Sequence, residues 1–166
     1  MTTVRPRSEP VLNEKWAAFI QGGVSICVAS RDPQNVPTLM RGYGCRVSGN
    51  RQRVMVLVAA TQAEQLIKAV RSTGTIAAVF TQPSTHVSVQ LKGTDAVVAR
   101  ARPADGQLSK TNAEAFVEDV VRVGYPEDLI RALLASDAAD LTAITFSPVA
   151  AFLQTPGPRA GECLSS

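Results

Sequence analysis

The sequence predicts a mainly β, α+β fold: an antiparallel barrel of six strands with peripheral helices. Six segments either alternate between apolar and polar residues or form short apolar runs, and turn-forming residues separate them. Helical spacing is confined to a few stretches between these segments, a pattern typical of a barrel with helical additions. The predicted strands are residues 24–30, 38–47, 53–60, 75–80, 86–101 and 141–155.

The chain has the length of a single domain. Its 166 residues can bury one sizeable core, and 45% of them are hydrophobic. The first ten residues, MTTVRPRSEP, are polar and contain two prolines, so residues 1–10 are expected to form a flexible arm. Residues 156–166 are rich in Pro and Gly and are expected to form an extended tail on the surface.

Composition argues against several classes of protein. The net charge of +3 comes from scattered Lys and Arg, and one Trp, two Tyr and five Phe provide no stacking platform, so no nucleic-acid partner is expected. The longest apolar run, Val54–Ala60, is far shorter than the roughly 20 residues of a membrane helix. Three cysteines without paired spacing indicate free thiols and a cytoplasmic protein, and a single His makes a metal site unexpected.

Capping signals predict where the helices begin. Asn13 is expected to cap a short first helix. Thr61 with Glu64, and Thr111 with Glu114, have the spacing of capping boxes, so helices are expected to start at Thr61 and at Thr111. Segment 53–60, which precedes Thr61, is rich in Val and is expected to be buried on both faces.

Two arginines interrupt the segment TLMRGYGCRV, residues 38–47. Arg41 shares a face with apolar neighbours, where a guanidinium without a partner is costly. Arg46 would point to the other side in a regular strand, but a bulge at Gly42 or Gly44 would turn both arginines to one face. Either the pair binds an anion such as a phosphate, or each arginine extends from a strand end to water.

Chemistry carried by the protein alone is not indicated, because no motif pairs a nucleophile with a base. A bound cofactor is therefore the expected source of any reaction. In the segment HVSVQLKG, Ser88 and Gln90 lie on the polar face of a strand. They either face solvent or donate hydrogen bonds to a planar heterocycle.

Over roughly residues 12–100, the order of the elements and these residues resemble the pyridoxamine 5'-phosphate oxidase-like proteins. The family has an Arg, four residues and a basic residue on the strand beside the flavin phosphate, which matches Arg41 through Arg46. Its Arg-Gln-Val-Arg-x-x-Gly strand aligns with VSVQLKG, which places Ser88 at a flavin contact. A basic pair before a helix falls on Thr61 and Gln62, which are neutral here.

The resemblance implies a split barrel, a homodimer and FMN bound between the two subunits. It also implies that the activity is that of an oxidoreductase on an unidentified small molecule. The implied cofactor contacts are Arg41, Gly42, Tyr43, Arg46, Thr61, Gln62 and Ser88. The alternative is a non-enzymatic binding or sensing protein that has lost flavin or binds another planar ligand such as haem, which the neutral pair at Thr61 and Gln62 favours.

Overall fold

The computed structural model of the protein describes residues 10–164. Within them the chain forms an α+β fold of two antiparallel sheets with helices at the periphery. The strands are β1 (Ser25–Arg31), β2 (Pro37–Gly42), β3 (Gly44–Val47), β4 (Val54–Ala59), β5 (Ile76–Thr81), β6 (Ser88–Gly93), β7 (Val97–Arg100), β8 (Leu141–Phe146) and β9 (Ala150–Leu153). The helices are α1 (Glu14–Ile20), α2 (Glu64–Thr73), α3 (Pro103–Arg122) and α4 (Glu127–Leu134).

The two sheets have five and four strands. The five-stranded sheet has the order β2-β1-β5-β6-β9, and the four-stranded sheet has the order β3-β4-β8-β7. The inner faces of the sheets enclose the main core, where Phe80, Phe146, Ile26 and Leu91 are fully buried. All six residues of β4 are buried, as the sequence predicts for this Val-rich segment.

The predicted count of six strands is wrong, and the difference has one cause. Three of the predicted strands each divide into two, and the chain passes from one sheet to the other at each division. The divisions fall at Tyr43, after Gly93 and around Pro148. Proline has no N–H to donate to a neighbouring strand, which suits Pro148 to a break between strands. At Gly93 a Cβ would lie 2.6 Å from the Phe146 ring, so the close approach at this bend requires glycine.

Of the predicted helix starts, the first is confirmed. The Asn13 side chain accepts a hydrogen bond from the Trp16 N–H at 3.0 Å, which caps α1. The second is wrong, because α2 begins at Glu64 after Ala63, and no side chain caps it. The Thr61 hydroxyl instead donates a hydrogen bond to a carboxylate from another part of the chain, as the next section describes.

The predicted capping box at Thr111 and Glu114 is also wrong, because both residues lie in the middle of α3. This helix begins eight residues earlier, where Pro103 occupies its first turn and the Asp105 carboxylate accepts the Arg102 N–H at 2.8 Å. Pro is well suited to the first helical position, since the N–H that it lacks has no partner there.

The C-terminal segment turns back along β9, and residues 156–163 of the predicted tail are exposed. The Leu153 N–H donates to the Glu162 carbonyl at 2.9 Å, and the Leu164 N–H donates to the Ala151 carbonyl at the same distance. Residues 165–166 of the predicted tail and residues 1–9 of the predicted arm lie outside the described residues. Between residues 10 and 164, no helix has the length and apolar character needed to cross a membrane.

Candidate functional site

The outer face of the five-stranded sheet, which points away from the core, carries the first of the predicted site residues. Strand register aligns one row of outward side chains across all five strands. This row is Arg41, Cys27, Val79, Gln90 and Phe152. The neighbouring row is Leu39, Ala29, Ala77, Lys92 and Ala150. Small and apolar side chains therefore occupy much of the middle of this face. Arg41 lies towards the β2 side of the sheet, and Lys92 lies towards the β9 side.

Arg41 is the predicted site residue that remains free on this face. Its side chain is half-buried, and within residues 10–164 its guanidinium makes no hydrogen bond or ion pair. Leu39 beside it is 63% exposed. Across the sheet, the Lys92 ammonium lies 5.2 Å from the centroid of the Phe152 ring. A partly exposed sheet face of mostly small and apolar side chains, beside a guanidinium with no partner among the described residues, can accept a planar anionic ligand or another protein surface.

Gly42 and Tyr43 lie where the chain leaves the five-stranded sheet, and both make structural contacts. Gly42 is opposite Ile26, and a Cβ at Gly42 would lie 2.5 Å from the Ile26 Cγ2. Tyr43 is buried, its N–H donates to the Leu57 carbonyl at 2.8 Å, and its hydroxyl donates to the Gln62 Oε1 at 3.4 Å. The structure thus brings Tyr43 and Gln62 together.

Arg46 lies on the other sheet and has a carboxylate partner. Its guanidinium is 2.8 Å from Asp105 Oδ1, and the Asp105 side chain is 2% exposed. Burial would raise the pKa of Asp105. The hydrogen bond from the Arg102 N–H and the hydrogen bond and charge of Arg46 stabilise the ionised carboxylate. Together these contacts outweigh burial, so the pKa of Asp105 is lowered. A bulge that aligns Arg41 with Arg46 does not form, because Tyr43 separates two strands of different sheets.

Thr61 also has a carboxylate partner. Its hydroxyl donates to Asp140 Oδ2 at 2.6 Å, and its N–H donates to Asp140 Oδ1 at 3.0 Å. Asp140 ends a short 3₁₀ helix, Ala138–Asp140, directly before β8. The donors that the sequence assigns to a ligand phosphate thus bind a carboxylate from this same chain.

Ser88 lies in β6 on the row beyond Gln90, but its polar groups have partners within the chain. Its hydroxyl is hydrogen-bonded to the Thr81 hydroxyl, and its N–H donates to the Thr155 Oγ1 at 3.0 Å. Ser88 is only 6% exposed. It is therefore held between its neighbouring strand and the segment that follows β9.

The predicted contacts do not fit FMN as one phosphate clamp. A phosphate beside Arg46 or Thr61 would also lie near the carboxylate of Asp105 or Asp140, and like charges repel. Of the two arginines in the predicted site, Arg41 has no hydrogen bond or ion pair within residues 10–164. Sequence reasoning missed both aspartates. The position of Asp105, three residues after Arg102 at a Pro-initiated helix, was the available signal for one of them.

Comparison with solved structures gives the same fold at low sequence identity. HupZ from Group A Streptococcus is 15% identical, with 90% of this chain and 100% of that chain covered and a TM-score of 0.54. An F420 reductase is 12% identical, with 84% and 98% covered and a TM-score of 0.54. A candidate pyridoxamine 5'-phosphate oxidase from Lactobacillus delbrueckii is 14% identical, with 89% and 97% covered and a TM-score of 0.52.

No protein-family model matches the sequence, and no curated protein is significantly similar to it. The likeness therefore concerns the backbone, and at 12–15% identity it does not carry site residues from one protein to another. At the level of fold the predicted resemblance is confirmed: the chain has the split-barrel fold of the pyridoxamine 5'-phosphate oxidase-like proteins.

Proposed function

We propose that the protein is a homodimeric split-barrel binding protein whose ligand is planar, anionic and of the flavin class. The ligand lies against the outer face of the five-stranded sheet, and Arg41 contacts its anionic group. The observation that carries this proposal is Arg41, which has no hydrogen bond or ion pair within residues 10–164, beside an outward and partly exposed row of mostly small or apolar side chains. A flat apolar surface with one well-placed cation is the arrangement that such a ligand requires.

Binding without turnover is favoured over catalysis by the two aspartates. Arg46 and Thr61 are paired with Asp105 and Asp140, so the phosphate of FMN would have one charged contact, Arg41. A charged hydrogen bond contributes about 1.5–3 kcal/mol, so each missing contact weakens binding by roughly one to two orders of magnitude. Gly42, Tyr43, Gln62 and Ser88 would then act through the shape of the site.

An FMN-dependent oxidoreductase acting on a small molecule is the second candidate. The likeness of fold to an F420 reductase and to a candidate pyridoxamine 5'-phosphate oxidase favours it. Mixing the FMN-loaded protein with NADPH separates the two candidates. A flavin spectrum that stays oxidised supports binding alone, whereas bleaching followed by reoxidation in air supports the oxidoreductase.

The Arg41→Ala variant tests the ligand site. We expect FMN to bind the wild-type protein in the micromolar range and the variant at least about tenfold more weakly, because one charge-assisted contact is lost. Quenching of flavin fluorescence measures both affinities. Riboflavin, which lacks the phosphate, should bind both proteins equally.

Arg122→Ala is the matched control, since Arg122 is an exposed arginine in the last turn of α3. An equal loss in this control, or an equal loss of riboflavin affinity in Arg41→Ala, would contradict a phosphate contact at Arg41. Failure of FMN and riboflavin to bind, with a new Soret band on addition of haem, would replace the flavin class with haem.

The second subunit is expected to cover the same outer face, as dimers of this fold commonly place their cofactor between subunits. Val79 lies at the centre of the outward row, so Val79→Arg should place a charge in the middle of the contact and yield a monomer. Sedimentation equilibrium measures the mass. Val123→Arg is the control, because Val123 is an exposed valine that directly follows α3 and belongs to neither sheet. A monomeric wild type, or a dimeric Val79→Arg protein, contradicts this interface.

A further inference from the structure

A cavity at one end of the barrel lies outside the ligand site proposed above. It is formed between α2 and the four-stranded sheet, has a volume of about 270 Å³, and is named here the mixed-charge pocket. Its charged lining residues are Arg71, Arg100 and Asp140. Its apolar lining includes Ala60, Val98 and Leu141. No lining residue belongs to the five-stranded sheet that carries Arg41.

The ends of three strands and of one helix build the mixed-charge pocket. Ala60 directly follows β4, Arg100 is the last residue of β7, and Leu141 is the first residue of β8. Arg71 lies in the last turn of α2, a helix that packs beside β7. The pocket therefore lies at the rim of the barrel, where the strands of this sheet begin and end.

Strand register turns Arg100 towards this pocket. Val98, two residues earlier in β7, is opposite Ile144, which is fully buried in the main core. Residues two apart in a strand share a face, so the Arg100 side chain leaves β7 on the core side of the sheet. Arg100 is the last residue of the strand and is exposed, so its guanidinium lies at the rim instead of in the core.

The three charges of the pocket are not paired with one another. Within residues 10–164, neither Arg71 nor Arg100 makes a hydrogen bond or an ion pair. The Asp140 carboxylate accepts the hydroxyl and the N–H of Thr61, and these neutral donors leave its negative charge in place. Each carboxylate oxygen can accept more than one hydrogen bond, so Asp140 has capacity for a further donor.

This mixture of signs restricts the chemistry of a ligand. An anion without a positive group would be attracted by the arginines but repelled by Asp140, and a simple cation would meet the opposite problem. A molecule with both a carboxylate and an ammonium group satisfies both signs, because guanidinium binds carboxylate through paired hydrogen bonds and carboxylate accepts from ammonium. The volume of about 270 Å³ is just below the usual range of ligand sites, which suits a small molecule.

We propose that the mixed-charge pocket binds a free α-amino acid with a small apolar side chain. Arg71 and Arg100 contact the carboxylate of this ligand, and Asp140 accepts hydrogen bonds from its ammonium group. The apolar side chain of the ligand packs against Val98 and Leu141. This site shares no residue with the flavin-class site and does not depend on it.

Titration of isotope-labelled protein with L-valine, followed by two-dimensional NMR, tests the proposal. The Thr61 amide is the local readout, because its N–H donates to Asp140 at 3.0 Å. We expect its signal to shift saturably, and the affinity to fall at least about tenfold in Arg71→Gln and in Arg100→Gln, since each loses a charge-assisted contact. Both arginines are exposed, so both variants should keep the wild-type melting temperature. Arg122→Gln, which removes an equal charge from the end of α3, should bind L-valine like the wild type.

Two derivatives of the ligand test each charge without changing the protein. N-acetyl-L-valine lacks the ammonium group and L-valinamide lacks the carboxylate, so each should bind at least about tenfold more weakly than L-valine. Equal affinity for N-acetyl-L-valine would overturn the contact with Asp140, and equal affinity for L-valinamide would overturn the contacts with the arginines. No saturable shift with L-valine, unchanged affinity in both arginine variants, or an equal loss in Arg122→Gln would overturn the site itself.

Discussion

Replacing Asp105 with alanine is expected to lower the free energy of unfolding by about 2 kcal/mol, since the Arg102 N–H and the partly exposed Arg46 guanidinium both lose a buried acceptor. Arg46 would lose its partner at 2.8 Å, and the Arg102 N–H at the start of α3 would lose its acceptor. The melting temperature should fall by roughly 4–8 °C for a chain of this size. Thermal unfolding followed by circular dichroism measures the change.

Glu114→Ala is the matched control for Asp105→Ala. Glu114 lies on the same helix and is also paired with an arginine, Arg131, but its side chain is 60% exposed. A surface pair of this kind contributes little. The control should therefore melt with the wild type, and an Asp105→Ala protein that also melts with the wild type would refute the role assigned to the buried Asp105 carboxylate.

The contribution of Asp105 should depend on pH in one direction. Its pKa is lowered in the folded protein, so its stabilising effect is complete above the ordinary aspartate pKa of about 3.9. The effect is lost as the pH falls below that value and through the lower pKa of the folded state. The difference in stability between the wild type and Asp105→Asn should therefore be constant near neutral pH and shrink in acid, as urea unfolding at several pH values can measure.

Gly42→Ala is expected to destabilise the fold by about 1–3 kcal/mol, the usual cost of forcing an extra methyl group into a packed core. The added Cβ would lie 2.5 Å from Ile26 Cγ2 and 2.8 Å from Ile26 Cβ, so one of the two strands must shift. Gly42 is the last residue of β2, directly before the chain changes sheet. Urea unfolding measures the loss.

The control for Gly42→Ala is Gly49→Ala. Gly49 lies in the turn between β3 and β4, and an added Cβ there would have nothing within 4 Å. This substitution should change the stability by less than about 0.5 kcal/mol. If Gly42→Ala is as stable as Gly49→Ala but binds FMN more weakly, Gly42 is a ligand contact, as the sequence implied, and not a packing position.

The sequence predicts where the extended segments lie far better than it predicts which sheet each segment belongs to. Alternation identifies the six extended segments, because each side chain responds to its own local environment. Membership of a sheet depends on residues far apart in the chain. Gly93 is next to Phe146, and nothing local distinguishes a bend within one sheet from a passage into the other. The count of nine strands instead of six follows from this difference.

The surroundings of the predicted site residues follow from the sequence only where no distant partner is involved. The sequence identifies Arg41 as an unusual charge, and within residues 10–164 it makes no hydrogen bond or ion pair. Arg46 and Thr61 were identified for the same reason, but their partners, Asp105 and Asp140, lie 59 and 79 residues further along the chain. Long-range ion pairs leave no periodic signal, so a pattern that suggests a phosphate clamp cannot reveal that carboxylates of the same chain already occupy it.

The three places where one strand continues directly into a strand of the other sheet determine how the molecule unfolds. β2 continues into β3, β6 into β7 and β8 into β9, and each of these pairs joins the two sheets. Unfolding of one sheet would therefore pull on strands of the other. Both sheets should therefore unfold in one cooperative step. Their slowest-exchanging amides should share a single opening free energy, which native-state hydrogen exchange would report as one unit spanning the whole barrel.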